Sequence, residues 1–117
     1  MTVAECYDKF GGDYEGTIDR LATESPVRKY LVRFLDDPCY GELVDHFSKH
    51  EDKEAFQAVH TMKGLCLNLG LTRLTTSSSA LTEALRNGRK PEADQLLEYV
   101  TRDYDEICDA IRGLEDE

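Results

Sequence analysis

Residues 52–70 read DKEAFQAVHTMKGLCLNLG, a proline-free run in which Phe56, Val59, Met62, Cys66 and Leu69 recur three and four positions apart. That spacing predicts a buried helix line, starting near Asp52 as N-cap and ending before Gly70. One residue sits badly in it. Gly64 falls mid-run, four positions after His60, although an interior glycine weakens a helix by about 1 kcal/mol relative to alanine. His60, Lys63, Gly64 and Leu67 are spaced i, i+3, i+4 and i+7, so they form a stripe at the edge of the buried face. His60 is thereby placed within reach of solvent, and Lys63 can bring an ammonium to an anion at the imidazole. Gly64 removes the side chain over the next turn, leaving a notch through which another molecule can approach the ring closely.

The chain on either side keeps the same rhythm. Leu71, Leu74, Ser78, Leu81 and Leu85 predict a helix over about 72 to 87, stopped by Gly88. The short connection at Gly70 makes it antiparallel to the first, with facing positions summing to about 141. His60 then lies level with Leu81 and Thr82, and Thr82 and Arg86, one turn apart, become candidates to flank it. Ala93, Leu97, Val100, Tyr104, Ile107, Ile111 and Leu114 predict a long last helix with Pro91 in its first turn. Upstream, Ser25 reads as an N-cap with Pro26 at the first helical position, followed by Val27, Tyr30, Leu31, Phe34 and Leu35. Asp36-Asp37-Pro38 interrupts that face before Tyr40, Leu43, Val44 and Phe47 resume it, giving a kinked helix or two short ones. Val3, Cys6 and Phe10, then a Gly-Gly break, then Tyr14, Ile18 and Leu21 suggest two short helices capping one end. No strand-like alternation and no internal repeat occur. The expected architecture is all-α and a single domain over 1–117: an antiparallel four-helix bundle over 25–117 with an N-terminal helical extension over 1–24.

Composition narrows the function classes. The 117 residues are 40% hydrophobic and 32% charged, enough for one core and typical of a globular chain. A formal net charge of -10 repels phosphate backbones and anionic membranes, so neither nucleic acid nor membrane is an expected partner. No apolar run nears the roughly 18 residues that span a bilayer, and MTVAECYDKF at the start lacks the order of a signal peptide, so a cytoplasmic location is expected. Cys6, Cys39, Cys66 and Cys108 are scattered singly, without the close pairs of zinc or redox motifs, and read as reduced thiols, Cys66 and Cys108 on apolar stripes.

The string His-Thr-Met-Lys-Gly at 60–64, followed by Asn68-Leu69-Gly70, resembles the H-x-[LM]-K-G signature and later N-x-G of histidine-containing phosphotransfer (HPt) domains. The likeness extends over nearly the whole chain, from Phe10-Gly11-Gly12 through FLDDP at 34–38 to the last helix. It implies that His60 takes a phosphoryl group from an aspartate of a receiver domain, in a response regulator or hybrid histidine kinase, and passes it to another. Lys63 would hold phosphoryl oxygens and Gly64 would clear the receiver's approach. The chain would be a carrier, not a kinase, without a cofactor of its own, Mg²⁺ belonging to the receiver; it would act as a monomer. Imidazoles in water titrate near about 6.5, so a neutral nucleophile exists at neutral pH without a dedicated base. One departure stands out: many family members set an amide side chain opposite the histidine, but residues 71–86 hold neither Asn nor Gln and offer Ser78, Ser79 and Thr82. Arg86 is a phosphate candidate that could equally pair with Glu83, and Leu67 and Thr61 are docking candidates.

Two rival readings remain at this level. The bundle could bind a signalling partner without phosphotransfer, or Glu42, His46 and His50, four apart on one helix face, could hold a metal.

Overall fold

The computed structural model describes residues 1–115, which form seven helices and no strand among the described residues. They are α1 (Val3–Phe10), α2 (Tyr14–Leu21), α3 (Glu24–Phe34), α4 (Cys39–Ser48), α5 (Asp52–Leu69), α6 (Thr72–Arg86) and α7 (Lys90–Glu115). Asp116 and Glu117, the end of the expected bundle, lie outside the described residues.

Helices α4 to α7 make the four-helix bundle, each packed on the next in sequence. At 26 residues, and about 1.5 Å of rise each, α7 runs the whole 40 Å length of the molecule. The bundle closes between its first and last helices through Tyr40, whose ring stacks on Tyr104 at 3.9 Å and whose hydroxyl donates to Thr101 Oγ1 at 2.9 Å. Met62, Cys66 and Leu69 of α5, Leu74, Leu81 and Ala84 of α6, and Val100, Ile107 and Ile111 of α7 are buried in one core. All four cysteines are free and buried. Burial pushes the Cys6 thiol up to about 11 and the Cys66 thiol up to about 12, so both stay protonated and unreactive near neutrality.

The break at Asp36-Asp37-Pro38 resolves into two helices, with the Asp37 carboxylate accepting the Cys39 N–H at 2.9 Å. Helix α3 starts earlier than expected, with Thr23 in the cap position, Glu24 first and Pro26 third. Proline is tolerated there because the first turn's N–H groups have no intrahelical partner. Asp52 is likewise not a cap but the first residue of α5 after Glu51. Its carboxylate keeps its favourable place at the positive end of the dipole and pairs with Lys90 Nζ on α7 at 2.6 Å.

The N-terminal helices cap the bundle's end at the α5 to α6 turn. Helix α5 has no basic residue in its last turn, so its final carbonyls are satisfied from outside. Tyr7 Oη donates to the Leu69 carbonyl at 2.7 Å, and Arg20 donates to the carbonyls of Leu67 and Asn68 at 3.2 and 3.1 Å. Gly70 adopts φ +67°, and its carbonyl accepts the Asp13 N–H at 2.8 Å. Helix α3 packs on α1 and α2 as well as on α5 and α7, joining extension to bundle.

Candidate functional site on the open face of α5

The buried line of α5 consists of Ala55, Ala58, Val59, Met62, Cys66 and Leu69. Phe56, expected in that line, is only half-buried. Two alanines take the close approach to its neighbours instead, and the stripe carrying His60 lies at the edge of the buried face, as its spacing predicts. His60, Gly64 and Leu67 are exposed and Lys63 is half-buried.

Helical side chains lean toward the N-terminus and cover the preceding turn. His60 follows the rule, its imidazole stacking on Phe56 with ring planes 5° apart and centroids 5.8 Å apart. Arg86 reaches from α6 to place its guanidinium carbon 5.4 Å from the Phe56 centroid, while pairing with Glu83 on its own helix. The contact of Phe56 with Arg86 confirms the antiparallel register read from sequence to within one residue. Among the described residues no carboxylate pairs with Lys63, unlike Lys49, Lys90, Arg73 and Arg86, each of which has an acidic partner. Beyond the backbone of its own helix turn, a Cβ built on Gly64 meets no described atom within 4 Å. The fold therefore gives no internal reason for glycine at this exposed helical position.

The α6 residues expected around the imidazole are placed differently. Thr82 is fully buried, and its hydroxyl donates to the Ser78 carbonyl at 2.7 Å. Ser78 is also fully buried, and its Oγ has no hydrogen-bond partner. Neither hydroxyl reaches the solvent face, because the α6 stripe through Leu74, Ser78 and Leu81 is the one that enters the core. Ser79 is half-buried and Arg86 exposed. Thr61 lines a shallow groove on the α4 side with Glu42, His46, Glu54, Gln57 and Ala58. Leu67, at 56%, is the most exposed large hydrophobic residue described.

The metal reading fails on geometry. Helix α4 ends at Ser48, His50 sits in the following turn at φ 59°, and His46 Nδ1 lies 3.0 Å from Glu51 Oε1. The i, i+4 relation of His46 and His50 is thus lost, and no group of three or more potential ligands gathers among the described residues.

An exposed histidine with an unpaired lysine and an unfilled glycine one turn beyond is the arrangement on which the sequence resemblance rested. Residues 34–114 match the model of the Hpt domain. The chain belongs to the Hpt family. Hpt domains carry phosphoryl groups on histidine within phosphorelays, exchange them with receiver domains and are not autonomous kinases. No match is found among curated proteins or solved structures. The family match begins at Phe34, so Phe10-Gly11-Gly12 and the rest of the N-terminal extension lie outside it, a narrower span than the sequence suggested. No described helix of this Hpt domain is long and apolar enough to cross a membrane. Phe56 is the site residue that sequence reasoning missed. Its signal was an aromatic residue four positions before the histidine, absorbed into the core line because it is apolar.

Proposed function

We propose that His60 is the phosphoacceptor of this Hpt domain. The observation carrying that assignment is the empty volume at Gly64, open to a partner and unexplained by the fold, one turn from the exposed imidazole. The other two histidines are less suited: His46 is engaged by Glu51, and His50 lies in a turn.

In the forward step an imidazole nitrogen of His60 attacks the phosphorus of a receiver's aspartyl phosphate. A P–N bond forms, the P–O bond to the aspartate breaks, and the carboxylate leaves; the reverse step passes the group to an aspartate again. Lys63, free of any described carboxylate, supplies charge-assisted hydrogen bonds to the phosphoryl oxygens. Arg86, paired with Glu83 and lying over Phe56, adds a second positive charge near the site. Gly64 lets the receiver's acidic pocket, with its Mg²⁺, close over the ring. Leu67, and Thr61 on the other flank, form the docking rim. A monomer suits the net charge of -10, which opposes self-association, and a cytoplasmic setting suits four unpaired thiols.

The test is phosphotransfer from a receiver domain charged with a small-molecule phosphodonor. Acid-labile, alkali-stable label is expected on the wild-type chain and none on His60→Gln. Label persisting in that variant would overturn the assignment, and unlabelled wild-type protein with undiminished receiver affinity would mark a binding module instead.

A further inference from the structure

This inference rests on His60 being the phosphoacceptor and concerns how its ring is held. An exposed imidazole can rotate about both side-chain torsions, and in-line transfer needs one orientation of the attacking nitrogen. Residues 71–86 on the facing helix hold neither Asn nor Gln, and the hydroxyls of Ser78 and Thr82 there are buried and turned elsewhere. What touches the His60 ring is Phe56, with the two planes within 5° of parallel. Phe56 is itself restrained. It is half-buried, it lines a depression with Asp52, Lys53, Leu85 and Arg86, and the Arg86 guanidinium lies over its ring. Glu83 holds Arg86 from below, one turn back on α6.

We infer that Phe56 is the positioning residue for His60: its ring, braced by Arg86, fixes the plane of the imidazole, a task no polar side chain of α6 performs. The stack leaves both ring nitrogens without a hydrogen-bond partner among the described residues. It also couples α6 to the nucleophile without any polar contact to it, since Arg86 acts on Phe56 and Phe56 on His60. Offset-parallel aromatic pairs with centroids in the range of about 4.5–7 Å are worth enough to move a rate by about 2- to 10-fold.

The experiment pairs a spectroscopic with a kinetic reading. In unphosphorylated protein, Phe56→Leu, which keeps an apolar side chain, should shift the His60 ring resonances in the NMR spectrum by removing the adjacent ring current, while Phe56→Tyr should leave them near their wild-type positions. In transfer from a charged receiver, Phe56→Leu should lower the maximal rate by about 2- to 10-fold with little change in the receiver concentration giving half the maximum, and Phe56→Tyr should restore the rate. Arg86→Gln, which leaves α5 untouched, should move the same resonances in the same direction by a smaller amount, and this reading holds even if Phe56→Leu folds poorly. Wild-type rate and unmoved resonances in Phe56→Leu, or equal losses in the leucine and tyrosine variants, would overturn the inference. Absence of label on wild-type His60 would instead remove the assignment on which it stands.

Discussion

Helix α5 carries Gly64 in its middle and is capped by Gly70 six residues on, and the two glycines answer to different masters. Gly70 belongs to the fold. It takes φ +67°, and a Cβ there would lie 2.2 Å from Thr17 Oγ1 and 2.7 Å from the Asp13 carbonyl oxygen, distances no side chain tolerates. Gly64 belongs to nothing inside the molecule: its backbone is ordinary helix, and a Cβ would meet open space. The same residue type thus marks a packing constraint at one end of the helix and an unfilled face in its middle. The surroundings repeat the contrast. Around Gly70 the carbonyls are capped by Tyr7 and Arg20 and the side chains are committed, whereas around Gly64 a lysine is left unpaired and a leucine is exposed.

Substitution should separate the two regions. Gly70→Ala combines left-handed strain with overpacking against Asp13 and Thr17, and should destabilise the protein by about 2–4 kcal/mol, read as a lowered urea midpoint. Tyr7→Phe removes the donor to the Leu69 carbonyl and should cost about 1–2 kcal/mol, leaving phosphotransfer unaffected because the change lies at the capped end. Tyr7 also carries a pH signature. Burial raises its phenol from 10.0 to about 12, so the folded state favours the protonated form. The corresponding stability is complete below about pH 10 and is lost as pH rises toward about 12, a loss that Tyr7→Phe should not show in alkaline denaturation. Gly64→Ala reverses the sign: with no contact to violate, it should stabilise the helix by about 1 kcal/mol, seen as a higher melting temperature. Smallest is Ser78→Ala, which removes a buried hydroxyl lacking any partner and should be neutral to stabilising by up to about 1 kcal/mol.

The sequence made the bundle legible because its information is periodic. The spacing of Leu74, Leu81, Val100, Ile107 and Ile111 names the core face without reference to any neighbour, and the Gly70 turn sets the register that Phe56 and Arg86 then obey. The His60, Lys63, Gly64 stripe was legible for the same reason. Terminal choices were not: Thr23 rather than Ser25 precedes α3, and Glu51 rather than Asp52 precedes α5, because the end of a helix depends on what the preceding turn allows and on cross-helix partners such as Lys90. The surroundings of the imidazole were least legible. Position opposite His60 in sequence register does not say which side of α6 a residue faces, and Thr82 and Ser78 turned inward with the core stripe. Phe56 was misplaced because two alanines, Ala55 and Ala58, do the close packing that a larger apolar residue was expected to do.

On the proposed function, the open face at Gly64 serves a docking receiver and not this chain's own fold. That role is tested most directly by the rate of phosphotransfer from a charged receiver to Gly64→Gln, measured beside its melting temperature. A folded protein of at least wild-type stability is expected, with transfer slowed by about tenfold or more, equivalent to about 1.4 kcal/mol or more at the transition state. Transfer at the wild-type rate would contradict that role.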